Sequence, residues 1–176
     1  MRPAPEDPTR QALPVACGTA GDGRAGETGV AVQRARSHGY LPHTADVGLV
    51  ARAPTLAALF EEAALALAGL AADTDGVEGT PAIAGPVAAR DLEGLAFAWL
   101  NELIGLAEST GQALVRAVVA RLEPEGDGWT VEGRVFLAPW EGPGVRARRH
   151  VKAVTFHRLA VEEGPEGFTL TAYADL

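Results

Sequence analysis

The sequence predicts an α+β fold in which two helices pack on a mainly antiparallel sheet. Two stretches carry apolar residues at helical spacing behind a capping residue, and four later runs read as strands joined pairwise by glycine-rich turns. No internal repeat breaks this order, so one domain accounts for it.

Order is expected to begin near His38, and Val47–Ala53 reads as a strand ended by Pro54. Thr55 is then a suitable N-cap for a helix to about Ala72, with Leu56, Leu59, Phe60, Ala63, Leu67 and Leu70 on one stripe and Glu61 and Glu62 off it. Asp73-Thr74-Asp75-Gly76 stops that helix. Ile83–Ala89 is a weaker strand, because Gly85 and Pro86 suit an edge or a bulge. Asp91 caps the second helix, Glu93 suits its first-turn dipole, and Gly111 follows its end. Its buried stripe is Leu92, Leu95, Ala96, Trp99, Leu103 and Leu106. Leu114–Leu122 should pair with Trp129–Leu137 across Gly126-Asp127-Gly128, and Val151–Val161 with Phe168–Asp175 across residues 163–167. The stretch 140–144 and the basic run Arg146, Arg148, Arg149 link the two hairpins.

Residues 1–37 are rich in Pro, Gly, Ala and charge and hold almost no large apolar side chains. They are expected to form a disordered extension, leaving 38–176 as the folded domain. Gly21-Asp22-Gly23-Arg24-Ala25-Gly26 matches a dinucleotide-binding pattern, but no strand precedes it and no amphipathic helix follows. It is a match of composition.

Hydrophobic residues make up 47% of the chain, enough for a sizeable core. A formal net charge of −8 argues against broad binding to nucleic acid, which needs cations to neutralise phosphates. The single Cys17 cannot form an internal disulfide. Prolines interrupt the N-terminal segment where a secretory signal needs a continuous apolar run, and no run could span a membrane. The expected location is cytoplasmic, without membrane contact.

The chemistry-bearing residues gather in a few places. In the last strand Phe168, Leu170, Ala172 and Ala174 form an apolar face, while Thr169, Thr171, Tyr173 and Asp175 form the other. Asp175 and the terminal oxygens of Leu176 then stand together, and such a cluster either repels itself or holds a cation. Asp46 has two readings: an Asx-type turn bonded to nearby N–H groups, or a third oxygen ligand if the first strand runs beside the last. Hard oxygen donors suit Ca²⁺ or Mg²⁺, and no Cys cluster or His-x-x-x-His pattern offers a softer site. Lys152 shares strand parity with Val154 and Phe156, which fits either a snorkelling edge residue or a cation facing a partner's phosphate or carboxylate. His43, His150 and His157 have no neighbouring nucleophile; His43 reads as support for the acidic site and His157 as structural. Glu102 sits at the boundary of the second helix stripe, solvated by default and with a site role as the alternative.

Four words carry a resemblance: His43-Thr44-Ala45-Asp46-Val47-Gly48, Trp99-Leu100-Asn101-Glu102-Leu103, Val151-Lys152-Ala153-Val154-Thr155-Phe156-His157, and Asp175-Leu176. In this order and spacing they resemble the archease family over roughly residues 38–176. The resemblance implies an archease-like fold and a divalent cation, Ca²⁺ above all with Mg²⁺ second, bound by Asp46, Asp175 and Leu176. It implies that Lys152 is needed for activity. It also implies a protein cofactor, not an enzyme by itself. Archeases assist the GTP-dependent RNA ligase RtcB in tRNA splicing and RNA repair, promoting guanylylation of its active-site histidine and repeated turnover. RNA would be met only through the ligase. One departure stands out: archeases commonly have an acidic residue before the His of the first word, where this chain has Pro42. The competing readings are a stand-alone metal-dependent phosphoester hydrolase and a chaperone or scaffold module with a structural cation.

Overall fold

A computed structural model describes residues 35–42 and 46–176. The expected extension therefore lies outside the described residues up to residue 34, as does the glycine pattern within it, and so does His43. The elements run β1 (Ser37–Pro42), β2 (Val47–Ala53), α1 (Leu56–Ala71), β3 (Ala72–Asp73), β4 (Thr80–Ala89), α2 (Leu92–Thr110), β5 (Gln112–Glu125), β6 (Gly128–Pro139), β7 (Arg146–Ala147), β8 (Ala153–Gly164) and β9 (Gly167–Asp175). Every strand pairing is antiparallel.

The strands divide between a four-stranded sheet of order β1-β2-β9-β8 and a three-stranded sheet of order β4-β6-β5, with β3 and β7 forming a short ribbon. Helix α1 packs on β2 and β5, and α2 on β4 and β8, so each helix bridges the two larger sheets. Leu59, Phe60, Trp99, Leu100 and Leu103 from the helices meet Leu49, Val135, Val154 and Leu170 from the strands in one core, all less than 2% exposed.

Local chemistry explains the helix ends. The Thr55 hydroxyl accepts from the Ala58 N–H at 3.2 Å, and the Asp91 carboxylate accepts from the Gly94 N–H at 2.7 Å. Gly111 closes α2 in the left-handed conformation, φ 63°, where a Cβ would be strained. The last turn of α1 is finished from far along the chain. The Arg148 N–H donates to Ala71 O, and its guanidinium donates to Gly69 O at 3.1 Å and to the Asp73 carboxylate at 3.3 Å.

Three elements differ from expectation. β1 carries Gly39 and Pro42 and is largely exposed, so it has no apolar alternation to read. β3 and β7 are too short to show a period. The β8–β9 turn is only Pro165-Glu166, because strand pairing continues to Gly164 opposite Gly167. The reading of Gly85-Pro86 holds: β4 is an edge strand whose register shifts between Ala84 and Val87.

Tyr40 ties β1 to α1. Its hydroxyl donates to Ala66 O at 3.0 Å, and partial burial pushes the phenol above its ordinary value of 10.0, against the opposing pull of Arg148. Folding thus favours the neutral phenol. This contribution is full below the unfolded value and is lost as pH rises through the higher folded one. Tyr40→Phe should cost about 0.5–1.5 kcal/mol at neutral pH. It should also flatten the wild type's decline in urea stability above about pH 10; an unchanged alkaline slope would exclude Tyr40 as its source.

Candidate metal centre

The register of the four-stranded sheet determines what meets at its end. β2 pairs with β9 from Ala53 opposite Phe168 to Val47 opposite Ala174. One step beyond that last pair stand Asp46 and Asp175. Adjacent strands lie about 5 Å apart, so two carboxylates from distant parts of the chain share one sheet end. Both fall on the non-core side by parity, since Leu49, Ala51, Leu170, Ala172 and Ala174 are buried on the other side.

The floor beneath the pair is shaped by Gly48. A Cβ there would lie 2.8 Å from Leu41 Cβ and 3.1 Å from the Tyr173 ring, so only glycine lets the ring lie across the strand. Tyr173 is 6% exposed, which closes the expected polar face of β9 one pair short of the acids.

Lys152 completes the cluster from the other side. Ala153 pairs with Asp175, and the Lys152 N–H donates to Asp175 O at 2.9 Å. The Lys152 ammonium donates to Leu176 O at 2.6 Å. Its side chain therefore does more than snorkel along an edge. The Leu176 side chain packs against the core, which holds its main chain in reach of the Lys152 ammonium. Asp46, Lys152, Asp175 and Leu176 are thus brought to one end of the sheet. A cavity of about 420 Å³ opens beside Val47 and is lined by Tyr40, Leu41, Leu70, Arg148 and Arg149.

Among the described residues no group of three or more His, Cys, Asp or Glu side chains could hold a metal ion. The acidic end reaches three donors only with Leu176 O, and all three are hard oxygens of the kind that bind Ca²⁺ or Mg²⁺. The donor set fits such a cation in kind. A carboxylate oxygen accepts several contacts, so the Lys152 ammonium does not exhaust it.

The other described candidates make contacts of their own. His157 meets the Tyr173 ring edge-on at 5.8 Å, and His150 lies 3.4 Å from Glu108 on the surface. Glu102 is half-buried on α2.

Sequence reasoning gave no role to Asn101. Its amide donates to Val154 O and accepts from Val154 N–H, each at 3.1 Å, closing the free edge of β8 two residues from Lys152. Glu93 does the same at Val161 N–H, and Glu61 at Val119 N–H on β5. The only sequence signal was the position of Asn101 within a family word. Asn101→Ala leaves both Val154 groups without their partner and should cost about 1–3 kcal/mol in urea unfolding; a loss below about 0.5 kcal/mol would refute the clamp.

Comparison with known proteins addresses the family of the chain. The model of the Archease protein family matches residues 38–176. The chain is similar to Protein archease of Methanosarcina acetivorans, 28% identical over 141 residues, covering 80% of this chain and 97% of the relative. Protein archease of Pyrobaculum islandicum is 32% identical over 143 residues, covering 78% and 93%. The solution structure of Methanobacterium thermoautotrophicum protein 1598 superposes with a TM-score of 0.67 at 26% identity, covering 79% of this chain and 98% of that one. Fold, ordered words and sequence similarity lead to one conclusion: the chain belongs to the archease family.

Proposed function

We propose that this protein is an activator of the GTP-dependent RNA ligase RtcB, promoting ligase guanylylation and multiple turnover in tRNA splicing or RNA repair. It acts as a protein cofactor in the cytoplasm, and RNA is engaged only through the ligase. Family membership supports this reading, and the observation that carries it is the β2–β9 register, whose last pair, Val47 opposite Ala174, stands one residue short of both Asp46 and Asp175.

Asp46, Asp175 and Leu176 O are the groups that would hold a divalent cation, Ca²⁺ first and Mg²⁺ second. Bound there, such an ion supplies concentrated positive charge for phosphate oxygens or a partner's carboxylates. Three protein oxygens leave about half or more of the six to eight positions of Ca²⁺ for water or groups from outside the chain. Lys152 orients the Leu176 oxygen and adds a cationic donor at the rim. This cluster suits insertion into a partner's site better than turnover alone.

The test is guanylylation of purified RtcB by GTP with and without the full chain, repeated with chelator. Stimulation by the chain, lost on chelation, is the expected result; no stimulation at any concentration would refute the assignment. Phosphoester turnover by the chain alone would point to the hydrolase.

A further inference from the structure

We propose that the bulge of β8 is a docking surface for the protein partner, a fixed aromatic and cationic projection near the acidic strand ends. The inference rests on the activator reading and adds the face by which the partner is held.

The β8–β9 ladder runs to Thr155 opposite Tyr173 and resumes at Ala160 opposite Thr171. Phe156, His157, Arg158 and Leu159 therefore stand against the single Ala172 of β9. Bulges re-aim side chains and interrupt pairing. Both shoulders of this one are fastened to α2, at Val154 by Asn101 and at Val161 by Glu93.

What the bulge displays is unusual for an exposed edge. Phe156 is 58% exposed, yet its ring stacks on Phe97 at 4.0 Å and 20°, so it is held in place while remaining open to contact. Arg158 adopts φ 52°, the left-handed region that residues with a Cβ seldom enter. Its side chain is exposed. Strained backbone conformations cluster at active sites, ligand clamps and switch regions.

Aromatic residues, phenylalanine among them, and arginine are enriched in protein interfaces. The occupant that fits is a protein surface with an apolar side chain for the Phe156 ring and a carboxylate for the Arg158 guanidinium. RNA fits less well, because the chain carries a net charge of −8. The projection lies near the acidic end along the strand but on the helix side of the sheet: Phe156 is three residues, about 10 Å, from Ala153, the partner of Asp175, and its ring rests on Phe97 of α2.

The experiment titrates the full chain into purified RtcB with GTP and separates the half-maximal concentration from the plateau of guanylylation. Phe156→Ala should raise the half-maximal concentration about tenfold with the plateau kept. Arg158→Gly should also raise it severalfold while increasing thermal stability, because glycine relieves the left-handed φ. A purely structural bulge predicts the opposite pairing for that variant, a more stable protein with an unchanged titration, and that result would overturn the proposal. So would a lowered plateau at unchanged half-maximal concentration, or RNA binding by the chain alone that Phe156→Ala abolishes. If the wild type gives no stimulation, the activator reading fails and the docking surface falls with it; normal wild-type stimulation with unaltered variants removes the docking surface alone.

Discussion

Replacing Asp46 or Asp175 by alanine is expected to lower the stimulation of ligase guanylylation at least about a hundredfold while leaving the fold intact. The magnitude follows from metal sites, where even outer contacts shift affinity 10–100-fold and a direct ligand should matter at least as much. Intact folding follows from position: both residues stand beyond the last β2–β9 pair, and Asp175 is exposed. Their charges also repel when no cation lies between them. Either variant in chelator should therefore melt no lower than the wild type. Added Ca²⁺ should raise the wild-type melting temperature and leave the variants unmoved. Full stimulation by either variant would remove the acidic pair from the account.

A second large effect is expected in the core. Trp99→Ala should cost about 3–5 kcal/mol in urea unfolding, a substantial part of the total stability of about 5–15 kcal/mol usual for a domain. Trp99 is fully buried on α2 within the core cluster, so its removal opens a cavity there. Its indole N–H has no hydrogen-bond partner among the described residues. Trp99→Phe keeps most of the apolar volume and discards that unpaired donor, so its cost should be much smaller. Equal costs for the two variants would mean that the indole N–H has a partner.

These expectations show which parts of the fold could be read from sequence. Long periodic elements were legible because burial enforces a period: the α1 stripe and the alternation of Phe168 to Ala174 both reappear in the core. Capping was legible because Thr55, Asp91 and Gly111 act on backbone groups within a few residues. What was not legible depends on partners far away in sequence. Arg148 closing α1, Asn101 closing β8 and the Tyr173 ring resting on Gly48 each leave only an isolated polar or small residue in the sequence. The acidic site stands between these cases. Its residue types were visible, but their meeting depends on β2 lying beside β9, which no local pattern specifies.

The most direct test is calorimetric titration of Ca²⁺ into the full chain without any partner. The account predicts one ion bound per chain by the wild type, with the heat abolished in both Asp46→Asn and Asp175→Asn. No binding by the wild type, or binding that survives in either variant, would contradict it.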